Sequence, residues 1–112
     1  MDTTPFKEYV EEAEAVAKKA RKRNGLDWEV YVSETHTRIN WYKQTEEQFD
    51  GPSLQFDGGL LSIEISQGES GWTSRYRESG FESFSGYDEL EEAVESAYKV
   101  MMKKKPGDVF IL

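Results

Sequence analysis

The chain carries few side chains able to react, and their spacing limits what each one is able to do. His36 is the only histidine, and there is no cysteine. A zinc site draws on several His, Cys or carboxylate ligands together, and one imidazole with no thiolate falls short of that. The residue types of a Ser-His-Asp relay are present, but no segment carries a nucleophile elbow. His36 closes the polar stretch Ser33-Glu34-Thr35-His36, which reads as a turn. Glu46, Glu47, Asp50 and Asp57 are of the type that holds a hard cation through oxygen. Their spacing departs from the alternating positions of a calcium loop, and a solvated acidic edge accounts for them. Neither Gly58-Gly59 nor Gly68-x-x-Gly71 carries the Lys-Ser/Thr of a phosphate loop or dinucleotide spacing, so both read as turns. Paired carboxylates for glycoside hydrolysis carry no signal in a chain with 22 acids. No catalytic residue, cofactor site or metal ligand emerges.

A different chemistry is available to the aromatic and guanidinium groups. Trp41, Tyr42, Trp72, Arg75, Tyr76 and Arg77 form a set able to stack nucleobases or to anchor a protein partner, since Trp, Tyr and Arg dominate interface hot spots. The structural alternative places Trp41 and Trp72 in the core and the others on an ordinary sheet surface. The candidate interaction residues are Tyr31, Tyr42, Trp72, Arg75, Tyr76 and Arg77. The net charge of -8 repels phosphate backbones, so nucleic acid is disfavoured. The expected partner is a protein or a second copy of the chain. Basic residues do cluster, in Lys18–Arg23 and Lys103–Lys105, but each cluster closes a helical segment, where cations complement the helix dipole.

The elements that would position these groups follow from periodicity. Apolar residues Phe6, Tyr9, Val10, Ala13, Val16, Ala17 and Ala20 recur every three or four positions and mark a helix. Thr3 or Thr4 can cap it, Glu8, Glu11 and Glu12 load its positive end, and Asn24-Gly25 stops it. Leu26–Ser33 alternates, with Trp28, Val30 and Val32 on one face and Tyr31 on the other. Thr37–Lys43 alternates again, with Ile39 and Trp41 on one face. Thr45–Phe49 is a weaker strand, and Asp50-Gly51-Pro52-Ser53 breaks the chain. Leu54–Phe56 leads into Gly58-Gly59. Leu60–Ser66 is the clearest core strand, with Leu61, Ile63 and Ile65 inward. Trp72–Arg77 reads as the last strand, and the Gly- and Ser-rich Glu78–Gly86 reads as a loop. Asp88, with Glu91 in the capping-box position, opens a second helix with the stripe Leu90, Ala93, Val94, Ala97, Val100 and Met101. The apolar tail Val109–Leu112 reads as a short edge strand or the start of a further segment.

One domain is the natural reading of 112 residues. Two helices on one face of a four- to five-stranded antiparallel sheet make an α+β two-layer sandwich. The other face stays open for a partner. No apolar run reaches the roughly 20 residues of a membrane span, and Met1–Glu12 lacks the pattern of a secretory leader. A soluble cytoplasmic protein is the default expectation.

The order helix, hairpin, Asp57-Gly58-Gly59, Leu60-Leu61-x-Ile63-x-Ile65, glycine turn, small-residue strand and Leu90-x-x-Ala93-Val94-x-x-Ala97 resembles the N-terminal domain of the TldD/PmbA family. Those proteins are metalloprotease relatives, historically called modulators of DNA gyrase. The resemblance covers roughly Phe6 to Asp108, nearly the whole chain, and its matching elements are Glu29–Val32, Asp57–Gly59, Gly68–Ser74, Leu90–Tyr98 and Pro106-Gly107-Asp108. Ser62 and Glu64 depart from a glycine and an arginine frequent there, and Gly80–Tyr87 resembles an insertion. The family's metal motif, a helix with two histidines and a glutamate, belongs to a later region, and none of it maps onto a residue here. The resemblance implies a non-catalytic protein-interaction or accessory module, standing alone or as one half of a split assembly. The alternative is a small-ligand binder or enzyme using the open sheet face around Trp72–Arg77.

Overall fold

Leu61, Ile63 and Ile65 alternate with polar neighbours, and this alternation sets the centre of the molecule. In the computed structural model, which describes residues 4–40, 42–78 and 80–103, all three side chains are buried. They lie on β3 (Leu61–Gln67), the middle of a five-stranded antiparallel sheet. The strands follow chain order: β1 (Glu29–Asn40), β2 (Thr45–Asp57), β3, β4 (Trp72–Glu78) and β5 (Phe81–Tyr87). The helices α1 (Thr4–Asn24) and α2 (Leu90–Lys103) flank them in sequence and cover one face. The register fixes that face as Val30 and Val32, then Phe56 and Leu54, then Ile63 and Ile65, then Tyr76 and Ser74, then Ser83 and Ser85. Phe6, Ala13, Ala17 and Ala20 of α1 and Ala93, Val94, Ala97 and Met101 of α2 close the core over it. The expected stripes of both helices are the buried ones. Glu8, Glu11 and Glu12 fall outside the first turn of α1, while Arg21, Lys22 and Arg23 do occupy its last turn.

Three local expectations are corrected. Ser33-Glu34-Thr35-His36 is not a turn: β1 runs through it, so Leu26–Ser33 and Thr37–Lys43 are not two paired strands, and the chain reverses at Tyr42-Lys43-Gln44 instead. The polar residues there pair in register with β2, Thr35 opposite Asp50 and His36 opposite Phe49. Asp50-Gly51-Pro52-Ser53 does not break the chain either, because it stays inside β2. Gly51 adopts a φ of 137°, a conformation open to glycine, and the register shifts between Ser33 and Thr35 opposite it. That irregularity bends both strands at one level. Finally, Glu78–Gly86 is not a loop but contains β5, paired along its whole length with β4. Trp41 and the tail Val109–Leu112 lie outside the described residues.

Tyr98 of α2 packs edge-on to Phe56, with centroids 6.1 Å apart. Burial, and after it the Glu12 carboxylate, raise its phenol above the ordinary 10.0. The folded chain therefore keeps Tyr98 neutral where the unfolded chain ionises it. This contribution to stability is complete below about pH 10 and is lost as pH rises beyond it towards the folded value. Tyr98→Phe is expected to flatten the fall of stability between about pH 9 and 11, read from urea melts. An unchanged slope would contradict this.

Candidate functional site

The open face of the sheet is built in rows across the strands. One row runs Tyr31, Gln55, Glu64, Arg75, Phe84, each residue directly opposite the next. A second runs Glu29, Asp57, Ser62, Arg77, Glu82, and a third Ser33, Ser53, Ser66, Thr73, Gly86. Such a face would ordinarily be flat and wet. Here the bend at Ser33/Thr35 and Gly51 turns the distal half of the β1–β2 hairpin back over it.

Three contacts establish this arm, each skipping a strand in the sheet order. Thr37 N, on β1, donates to Glu64 Oε1 on β3 at 3.0 Å. Glu46, on β2, accepts from Arg75 Nη2 on β4 at 2.8 Å, and Arg77 Nη2 lies 3.3 Å from the same oxygen. Arg75 also donates through Nε to Glu82. Glu64 is 7 % exposed, and its Oε2 accepts from Gln55 Nε2 at 2.7 Å. Gln55 in turn donates to Ser53 Oγ, which donates to Thr35 O. Buried carboxylate and guanidinium groups thus have partners, as their removal from water requires.

His36 belongs to the bend. It is buried against Phe49, with stacked rings 6.0 Å apart. Arg38 Nε donates to His36 Nε2 at 2.9 Å, so Nδ1 carries the ring hydrogen and donates it to Gly51 O at 3.1 Å. Both nitrogens are engaged, and neither is offered to a substrate. The Arg38 guanidinium also lies over the Phe49 ring, 5.7 Å from its centroid.

Between arm and sheet lies a cleft of about 510 Å³, lined by Arg38, Glu64, Glu69, Thr73, Arg75 and Phe84 among others. Glu64 and Arg75 are held by their partners. The exposed Arg38 and Glu69, the Thr73 hydroxyl and the half-exposed Phe84 ring make the contact surface. It can stack, hydrogen-bond and pair charge. Among the described residues no three His, Asp or Glu side chains gather to hold a metal. Glu46 is turned to Arg75 and Arg77, and Asp57 Oδ1 accepts from Gly59 N, so the four acids of the sequence do not form one site.

The candidate residues separate. Tyr31, Arg75 and Arg77 share the open face, and Arg75 alone of them lines the cleft. Burial, then the Asp57, Glu64 and Glu29 carboxylates, raise the Tyr31 phenol above its ordinary pKa. Trp72 and Tyr76 point to the helix side and pack against the core, Trp72 edge-on to Phe6 at 5.7 Å. Tyr42 is exposed at the hairpin tip. Thr37, Arg38, Glu64 and Phe84 were not singled out by spacing. A charged Glu64 amid Leu61, Ile63 and Ile65 was the available signal, because an acid on a central strand needs a partner on its own face.

Set beside models of known protein families, curated proteins and solved structures, the chain matches none of them. Among the described residues no helix is long and apolar enough to cross a membrane.

Proposed function

We propose that this chain is a non-catalytic binding module that takes an extended segment of a partner protein between the hairpin arm and the sheet. The observation that carries this reading is the arm itself, which roofs the open face and is tied down by Thr37–Glu64 and Glu46–Arg75. A slot between strands suits an extended backbone. Glu64 and Arg75 inside it are held by their partners, and the sole histidine has both nitrogens engaged. That is the character of a recognition surface, with Arg38 and Phe84 in the place of hot-spot residues. The TldD/PmbA resemblance supports an accessory role. It also names the partner class: a cytoplasmic chain carrying the family's metalloprotease-like region.

The test is size-exclusion chromatography of the purified chain with a purified protein containing that region. Co-elution is expected, weakened at least about tenfold by Arg38→Ala combined with Phe84→Ala, a loss typical of hot-spot truncation. Both side chains are outside the core, so the fold should persist. No co-elution under native conditions, or binding indifferent to both substitutions, would overturn the reading. A second reading has one observation in its favour: about 510 Å³ falls within the roughly 300–1,000 Å³ of small-molecule sites. A small polar ligand that raises the melting temperature, and fails to do so in Thr73→Val, would favour it.

A further inference from the structure

We propose that β5 is a self-pairing edge, through which two copies of this chain join antiparallel into one continuous sheet with Phe84 at the two-fold axis. Among the described residues no strand pairs with the outer side of β5. An edge of unpaired N–H and C=O groups is a template for another strand, and proteins blunt such edges with Lys, Pro, bulges or shortness. β5 has none of these protections. Phe81-Glu82-Ser83-Phe84-Ser85-Gly86-Tyr87 holds no Lys, Arg or Pro, and its seven residues pair with β4 without a register shift. Its one charge, Glu82, is already bound by Arg75.

The residue order favours a second copy over any other occupant. A two-fold interface requires that if one residue meets another, the reverse holds as well. Centred on Phe84, antiparallel pairing sets Phe81 against Tyr87, Glu82 against Gly86, Ser83 against Ser85, and Phe84 against itself. All but Glu82–Gly86 match in kind, aromatic with aromatic and hydroxyl with hydroxyl, which is the arrangement that stabilises cross-strand neighbours. The acid meets a glycine beside which an added Cβ finds nothing within 4 Å, so there is room for the Glu82 side chain of the second copy. The two Glu82 positions stand four residues apart along the strand, about 13 Å, beyond the Debye length of about 8 Å at physiological salt. Phe81 and Phe84, 49 % and 42 % exposed, would be covered by this pairing. Phe84 also lines the cleft, so the pairing would set two clefts side by side on one face.

The test is the weight-average molar mass from light scattering of the full chain, from micromolar up to about 1 mM, the range that reports weak association. A concentration-dependent dimer is expected. Phe84→Lys alone and Phe84→Glu alone should each raise the dissociation constant at least about tenfold, by placing like charges opposite each other. An equimolar mixture of the two should recover the dimer, which a folding defect cannot imitate. The proposal fails if the wild type stays monomeric throughout, or if both single variants dimerise as the wild type does. It also fails if dimers appear only once residues 104–112 are removed, since the tail would then occupy the edge. None of these outcomes depends on whether the cleft binds a partner.

Discussion

Trp28→Ala is expected to lower the free energy of unfolding by about 3–5 kcal/mol, the range for deleting a fully buried aromatic side chain. The indole is 0 % exposed. It lies so close to Gly58 that a Cβ added there would meet the ring at 3.2 Å, so the backbone of the β2–β3 turn seats on it. Its Nε1 donates to Asn24 Oδ1 at 3.3 Å, and Asn24 Nδ2 donates to Met101 O at 2.7 Å. The same Oδ1 accepts from Leu26 N at 3.2 Å. One buried asparagine thus ties the end of α1 to α2 and to the start of β1, with Trp28 packed beneath. Removing the ring leaves a large void at a junction of three elements that cannot collapse independently. Urea melts followed by circular dichroism measure the effect. A loss within about 0.5 kcal/mol, the scale of an ordinary surface substitution, would show that the junction is not packed as described.

Arg75→Met is expected to cost about 2 kcal/mol and to loosen the hairpin arm. Arg75 is 7 % exposed and holds Glu82 from its own sheet and Glu46 from the arm. Breaking a buried pair by removing one partner costs about 3–5 kcal/mol. The Glu46 side chain is 39 % exposed, so solvent takes up part of its charge and the smaller figure is expected. The arm then keeps Thr37–Glu64 and the longer Arg77–Glu46 contact but loses the closer of its two attachments to β4. In a double-mutant cycle with Glu46→Gln, the two losses should fall short of additivity by about 0.5 kcal/mol or more. Additive losses would mean that the arm and Arg75 act independently, and the cleft would then lack its roof.

How much of this was legible in the sequence depended on where each residue's partners lie. Leu61, Ile63 and Ile65, and the stripes of both helices, bury against neighbours of one kind, so local periodicity was enough. β5 was hidden because Phe81, Phe84 and Tyr87 recur every third residue and so divide between the two faces, leaving no period of two. Ser33–His36 looked like a turn because it is polar. It is polar because it faces an arm and an open face built of hydrogen bonds, and β2 supplies its backbone pairing. The cleft was illegible for a further reason. Glu64 needs Thr37, 27 residues away, and Arg75 needs Glu46, 29 residues away. Those pairs exist only after Gly51 bends the hairpin, and spacing along a chain carries no trace of that bend.

Hydrogen exchange at the Thr37 amide tests most directly that the arm closes over the open face. This N–H points away from its own hairpin to Glu64 Oε1, so in a straight hairpin it would face water. The expected result is slow exchange in the wild type and a large acceleration in Glu64→Ala, with the Ile63 and Ile65 amides of the core strand unchanged. Thr37 exchanging in the wild type as fast as Lys43 and Gln44 at the hairpin tip would contradict the closed arm, and with it the cleft on which the proposed binding rests.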